Sequence, residues 1–248
     1  MQAITKLVTH GRSELAKVIV GQSELVDGTL TALLCGGHAL IEGVPGLGKT
    51  LSVKVLARAF NVTFQRVQCT SDLMPADLLG SNILNLQNGT FSLHRGPMFT
   101  DLLLVDEINR MPPRTQASLL ESMEERQVTI DGVRHSLSPL FTVLATQNPV
   151  EFEGTYPLPE AQLDRFLLKV LIPNPTEDEL CEVLARTTGR APEAPHRVLA
   201  QKDVLALRTM CRDVAVAEPV ARYAARLVRA SDPSAKEAPD LAKRLQTP

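Results

Sequence analysis

The chain has 248 residues, 44% hydrophobic and 22% charged, and its 26 Lys and Arg nearly balance 28 Asp and Glu for a formal charge of −2. That suits one large α/β domain with a smaller appendage, and it argues against a chain whose main work is coating nucleic acid, so nucleic acid is not an expected partner. No apolar run approaches the roughly 18 residues of a spanning helix, and the N-terminal MQAITKLVTHGRSELAK has no apolar signal core; membrane insertion is not expected and the expected location is cytoplasmic.

In chain order, a helical period over residues 15–34 is interrupted by Val18, Ile19, Val20, Gly21 and Gln22, which read as an apolar turn between two helices. Residues 38–41 form a short apolar strand running into a glycine-rich loop, and 51–60 a helix. Further strands are expected at 63–68, 102–106, 141–146 and 167–171. Each is a continuous apolar run, the pattern of a parallel sheet covered on both faces. Two hairpins interrupt the alternation: 81–86 with 90–93 around Asn88-Gly89, and 127–130 with 133–136 around Asp131-Gly132, dipeptides that tolerate positive φ. After Pro173-Asn174-Pro175 the strands stop. Helices are expected at 176–188, opened by a Thr176/Glu179 capping box, and at 202–214 and 219–230, with a proline-containing junction at 189–195. The expected domains are therefore an α/β core over 1–172 and a helical domain over 173–248. Cys35, Cys69, Cys181 and Cys211 form no CxxC pair and read as reduced, mostly buried thiols, while the five histidines stand apart from one another.

Gly43-Val-Pro-Gly-Leu-Gly48-Lys49-Thr50 matches G-x-x-x-x-G-K-[ST] between a strand and a helix. Its glycines allow backbone N–H groups to turn around a polyphosphate at a helix N-terminus. Lys49 is the candidate for the β- and γ-phosphates and Thr50 for a bound Mg²⁺. Leu102-Leu-Leu-Val105-Asp106-Glu107 ends a strand in two carboxylates; Asp106 is the candidate metal ligand, through water, and Glu107 the candidate activator of the attacking water. Phe141-Thr-Val-Leu-Ala-Thr146-Gln147-Asn148-Pro149 ends a neighbouring strand with Asn148 placed to orient water or touch the γ-phosphate. Taken alone, the first of these two motifs reads more readily as two solvated acids at a strand end, and the second as a simple Asn-Pro turn.

Together these residues resemble the AAA+ ATPases, and more narrowly the MoxR group, from about Lys17 to Leu171. The narrow signatures are Val18-Ile-Val-Gly-Gln22, Glu42-Gly-Val-Pro-Gly46, Asp106-Glu-Ile-Asn-Arg110, Gln127-Val-Thr129, Ala145-Thr-Gln-Asn-Pro149 and Glu153-Gly-Thr-Tyr-Pro-Leu-Pro-Glu-Ala-Gln-Leu-Asp-Arg-Phe166. The resemblance implies an AAA+ P-loop NTPase core, a parallel five-stranded sheet between helices with two β-hairpin inserts, and a C-terminal all-helical lid. It implies ATP and Mg²⁺ held by Val18, Ile19, Val20, Gly21, Gln22, Gly43, Val44, Pro45, Gly46, Leu47, Gly48, Lys49, Thr50 and Leu51 together with Asp106. Asn148 takes the sensor-1 position, and Arg165 looks like an arginine finger offered to a neighbouring subunit, with an ion pair to Asp164 as the plainer reading. It further implies a homo-oligomeric, usually hexameric, ring that remodels a client protein complex, with a von Willebrand A-type protein as a common partner. Relatives carry a Ser-Pro-Arg sensor-2 motif soon after a segment like Leu227-Val-Arg-Ala230; the sequence reaches Pro248 without it, so the lid is expected to be incomplete. A nucleic-acid-directed or magnesium-chelatase-like ring motor, and an ATP-binding scaffold with little turnover, are the alternatives.

Overall fold

The structure, a computed structural model, describes residues 2–44, 46, 48–86, 89–148, 154–188 and 196–232. Loop residues Pro45 and Leu47, Asn88 of the first hairpin turn, the 189–195 junction and the tail from 233 lie outside them. Two compact units divide the chain, residues 1–209 and 210–248.

The first unit opens with helix α1 (Gln2–Ala16), the turn at 18–22, and α2 (Ser23–Cys35), closed by Gly36. Then come β1 (Ala39–Glu42), α3 (Lys49–Ala59), β2 (Phe64–Gln68), α4 (Pro75–Leu79), β3 (Gly80–Asn85) and β4 (Thr90–Arg95). They are followed by β5 (Leu102–Asp106), a 3₁₀ turn (Ile108–Arg110), α5 (Pro113–Glu125), β6 (Gln127–Ile130), β7 (Val133–Ser136) and β8 (Thr142–Gln147). Helix α6 (Glu160–Leu163), β9 (Leu168–Leu171) and α7 (Glu177–Thr188) lead to α8 (Gln201–Arg212), which crosses the unit boundary; the second unit holds α9 (Glu218–Ser231).

Five strands form one parallel sheet in the order β2-β5-β8-β1-β9. The apolar runs of the central strands bury every residue of β5 and all of β8 but its last. The edge strands depart from that expectation, since β2 and β9 each bury only one residue fully. An edge strand has a neighbour on one side only, so Gln65, Arg66 and Gln68 remain exposed. On one face of the sheet, Leu103, Val105, Phe141 and Val143 pack with Leu119, Leu120 and Met123 of α5.

Helices α1 and α5 go beyond what the sequence pattern announced. The inward side of α5 mixes Leu119, Leu120 and Met123 with buried Thr115, Gln116 and Ser122, which hides the apolar period. Two of those polar groups find backbone partners outside the helix: Thr115 Oγ1 donates to Leu73 O at 2.8 Å, and Gln116 Nε2 to Ile108 O and Tyr156 O at 3.1 and 3.0 Å. The Asp131-Gly132 turn has both residues at positive φ, +49° and +80°, as the dipeptide predicts. Asn82 Nδ2 donates to Asp131 Oδ2 at 2.8 Å and so ties the two hairpins together. The thiols are not mostly buried: Cys69 is, but Cys35 and Cys181 are exposed. No helix among the described residues is long and apolar enough to cross a membrane.

At the end of the sheet where the strands begin, buried His38 accepts from Val143 N–H at Nδ1 (2.9 Å), which leaves Nε2 to donate to Met123 O (3.2 Å). Burial pushes its pKa down to about 4, aided by the charges of Arg126 and Arg208. Arg208 fastens α8 there, donating to Leu33 O, Pro139 O and Thr142 Oγ1 at 2.6, 2.7 and 2.8 Å. The opposite end, where the strands finish, is left for the site.

Candidate nucleotide site

Three strand ends and one helix start converge there. Between β1 and α3 the loop turns at Gly46 (φ +87°) and Gly48 (φ +71°), and nothing lies within 4 Å of where a Cβ would stand on either. Glycine suits the left-handed backbone, and the open space beside both residues leaves room for an anion at the start of the following helix. Helix α3 starts at Lys49, whose Nζ rests on Gly43 O at 2.6 Å. Burial lowers the Lys49 pKa, while the charges of Asp106 and Glu107 act to raise it.

Asp106, the last residue of β5, is buried; Thr146 Oγ1, from neighbouring β8, donates to its Oδ1 at 3.1 Å. Its Oδ2 lies 3.4 Å from Thr50 Oγ1 and accepts from Arg66 Nε at 2.6 Å. Glu107 follows in a left-handed conformation, φ +58°, with its N–H on Thr146 Oγ1 at 2.9 Å and its carboxylate on Arg110 Nε at 2.9 Å. That turn resolves a difficulty in the sequence, because two consecutive strand residues would point to opposite faces. A cavity of about 420 Å³ is lined by Gly46, Gly48, Lys49, Thr50, Leu51, Arg66, Gln68, Asp106, Glu107, Thr146 and Asn148. Thr50 and Asp106 offer the hard oxygen donors that Mg²⁺ selects. Cys69 sits beside them, its thiol pushed up to about 12 by burial and by the charges of Asp106 and Glu107.

A second cavity, of about 570 Å³, shares Gly46, Gly48 and Leu51 with the first. Val18, Ile19, Val20 and Gln22 form one wall, and Pro175, Leu180, Val183 and Thr187 of the α7 region another. Its volume and apolar walls suit a flat ring, and the first cavity beside it suits an attached polyphosphate. Gly21 stands at φ +67° behind this wall, where a Cβ would meet Glu179 Oε1 at 2.1 Å. Glu179 in turn closes the capping box of α7, its Oε2 accepting from Thr176 N–H at 2.7 Å while Thr176 Oγ1 accepts from Glu179 N–H at 3.3 Å.

The structure thus brings Val18, Ile19, Val20, Gln22, Gly46, Gly48, Lys49, Thr50, Leu51, Asp106, Glu107 and Asn148 to two adjoining cavities. Gly43 and Val44 lead from β1 into the loop. Arg165 lines neither cavity of its own chain; its Nη2 pairs with Glu124 Oε2 at 3.1 Å, and not with Asp164. Sequence reasoning missed Arg66, Thr146 and the α7 wall. A charged residue inside strand 63–68 was the signal for Arg66, and a hydroxyl ending an apolar strand was the signal for Thr146. The α7 wall shows only an ordinary amphipathic pattern.

Residues 38–168 match the family described as "ATPase family associated with various cellular activities (AAA)". The chain is 43% identical over 225 residues to Uncharacterized protein YeaC of Bacillus subtilis, covering 90% of this chain and 69% of that one. It is 43% identical over 218 residues to Chaperone MoxR1 of Mycobacterium tuberculosis, covering 88% of this chain and 58% of that one, so it spans under two thirds of the chaperone's length. A crystal structure of a Cytophaga hutchinsonii protein assigned to the ATPases superposes with a TM-score of 0.86 at 41% identity, over 93% of this chain and 70% of that one. With this fold, these motifs in this order and these relatives, the chain belongs to the AAA ATPases, in their MoxR branch.

Proposed function

We propose that the chain binds and hydrolyses Mg²⁺·ATP and uses the cycle, in a homo-oligomeric ring, to remodel a client protein complex. The single observation that carries the hydrolysis is the convergence of Lys49, Thr50, Asp106, Glu107 and Asn148 on one cavity beside an apolar one. In this reading the Gly46–Gly48 backbone cradles the phosphates and Lys49 leaves Gly43 O to reach them. Thr50 and Asp106 would hold Mg²⁺, which when bound would supply positive charge to offset that of the phosphates. Glu107, turned inward by its left-handed backbone, takes the proton of the attacking water, and Asn148 orients that water. Val18, Ile19, Val20, Gly21 and Gln22 border adenine, Leu51 sits below it, and α7 closes over it as the start of a helical lid over 173–248.

The role in remodelling rests on the name of the mycobacterial relative, a chaperone. Exposed Ile83, Leu86, Phe91 and Val133 on the two hairpins support it, because they offer apolar contacts to a protein client. A hexamer, a von Willebrand A-type partner and Arg165 as the trans-acting finger belong to the same proposal. The test of the hydrolytic part is Glu107→Gln. ATP binding by calorimetry should persist, and turnover should fall by about 10² to 10⁴, the usual contribution of a positioned base. Turnover at the parent rate would remove Glu107 from the mechanism.

A further inference from the structure

Resting on the nucleotide reading above, we propose that Arg66 is a positioning residue that competes with the nucleotide's Mg²⁺ for Asp106 Oδ2, and so sets how strongly nucleotide binding depends on the metal. The observation is one of shared atoms. Asp106 has its Oδ1 occupied by the Thr146 hydroxyl, so Oδ2 is the oxygen turned toward Thr50, 3.4 Å from its hydroxyl. A dication held between Thr50 and Asp106 would meet Oδ2 as the oxygen facing Thr50, and that oxygen already accepts a 2.6 Å bond from Arg66 Nε.

The guanidinium arrives there because β2 and β5 run parallel with Gln68 opposite Asp106, so Arg66, two residues earlier, reaches along the sheet to the carboxylate. Gln68 Oε1 steadies the far side of the fork, accepting from Arg66 Nη2 at 2.7 Å. The pair is asymmetric: the Asp106 side chain is 10% exposed and that of Arg66 44%. Arg66 can therefore swing into solvent at little desolvation cost, whereas Asp106 cannot leave. Without a metal, Arg66 supplies a cationic hydrogen-bond donor to a buried carboxylate whose other hydrogen-bond partners are the hydroxyls of Thr146 and Thr50. With a metal held there, two cations would compete for one oxygen, and each would weaken the other's hold.

The test uses Mn²⁺ as the probe and electron paramagnetic resonance of free Mn²⁺ as the readout, on the full chain with ADP. Removing the competitor in Arg66→Gln should tighten Mn²⁺ binding to the ADP complex by about tenfold, the scale of one charge-assisted hydrogen bond. ADP affinity in EDTA should not rise. Arg66→Lys keeps the charge and should restore metal affinity to near the parent's, which a merely structural role would not do. The ratio of ADP affinities with and without Mn²⁺ is read on folded protein only, so partial unfolding of a variant does not alter it. Unchanged or weaker Mn²⁺ binding in Arg66→Gln, with ADP still bound, overturns this proposal and leaves the nucleotide reading intact. Failure of the parent to bind ADP under either condition overturns both.

Discussion

Glu107 is where a single backbone torsion turns a carboxylate toward the cavity. A left-handed non-glycine residue costs about 1 to 3 kcal/mol and persists only where its surroundings hold it, and here Thr146 Oγ1 holds its N–H while Arg110 holds its carboxylate. The sequence displayed Asp106-Glu107 as a carboxylate pair, but not the turn that lets both face one cavity, because no local residue preference favours positive φ at a glutamate. Arg66 was equally hidden, as a charge within an expected strand, since its partner lies 40 positions further on. At the other end of the sheet His38 gives a pH prediction. Its folded pKa of about 4 lies below the usual 6.5, so the unfolded chain takes up the proton first as pH falls. The stabilisation is complete above pH 6.5 and is lost progressively down to about 4, by about 3 kcal/mol in all. Urea denaturation at pH 7 and pH 4.5 should reveal most of that loss, and a variant lacking His38 should show a shallower dependence. Equal slopes in the two proteins would mean the imidazole is not buried neutral as described.

Among the elements, the parallel sheet and both hairpins were legible because their signals are local: continuous apolar runs, a P-loop between strand and helix, and Asn-Gly or Asp-Gly at the turns. Helix α5 was not, because half of its buried face is polar and finds its partners in loops remote in sequence. The apolar cavity was half legible, its 18–22 wall as a turn and its α7 wall only as an amphipathic helix. The contact between those walls makes a prediction. Gly21→Ala places a methyl group against the Glu179 carboxylate and a Cβ on a left-handed backbone. Glu179 must turn aside, loosening the cap of α7. The left-handed strain and the cap are each worth about 1 kcal/mol, so guanidinium denaturation should find the variant about 1 to 2 kcal/mol less stable, with ATP binding weakened as the wall shifts. A variant as stable as the parent would show that the turn and α7 are not in contact as described.

At the scale of the whole molecule, one cavity gathers Lys49, Thr50, Asp106, Glu107 and Asn148 from one chain, while Arg165 stands outside it, paired with Glu124. If a neighbour's Arg165 completes the site, hydrolysis requires assembly, because an arginine supplied in trans is worth about 10³ to 10⁵ in rate. Arg165→Ala and Lys49→Ala should then each be inactive alone and recover activity when mixed in verified rings, since some interfaces pair an intact loop with an intact arginine. Activity in Arg165→Ala alone, or dead mixed rings, would assign Arg165 to its ion pair. The proposed hydrolysis and the proposed ring both depend on the two adjoining cavities being a nucleotide site. Calorimetric titration of Mg²⁺·ATP into the parent and into Lys49→Ala measures that directly. The account predicts saturable binding of one ATP per chain by the parent, and affinity lower by about a hundredfold or more once the half-buried Lys49 ammonium is gone. Equal affinity in the two proteins would contradict it.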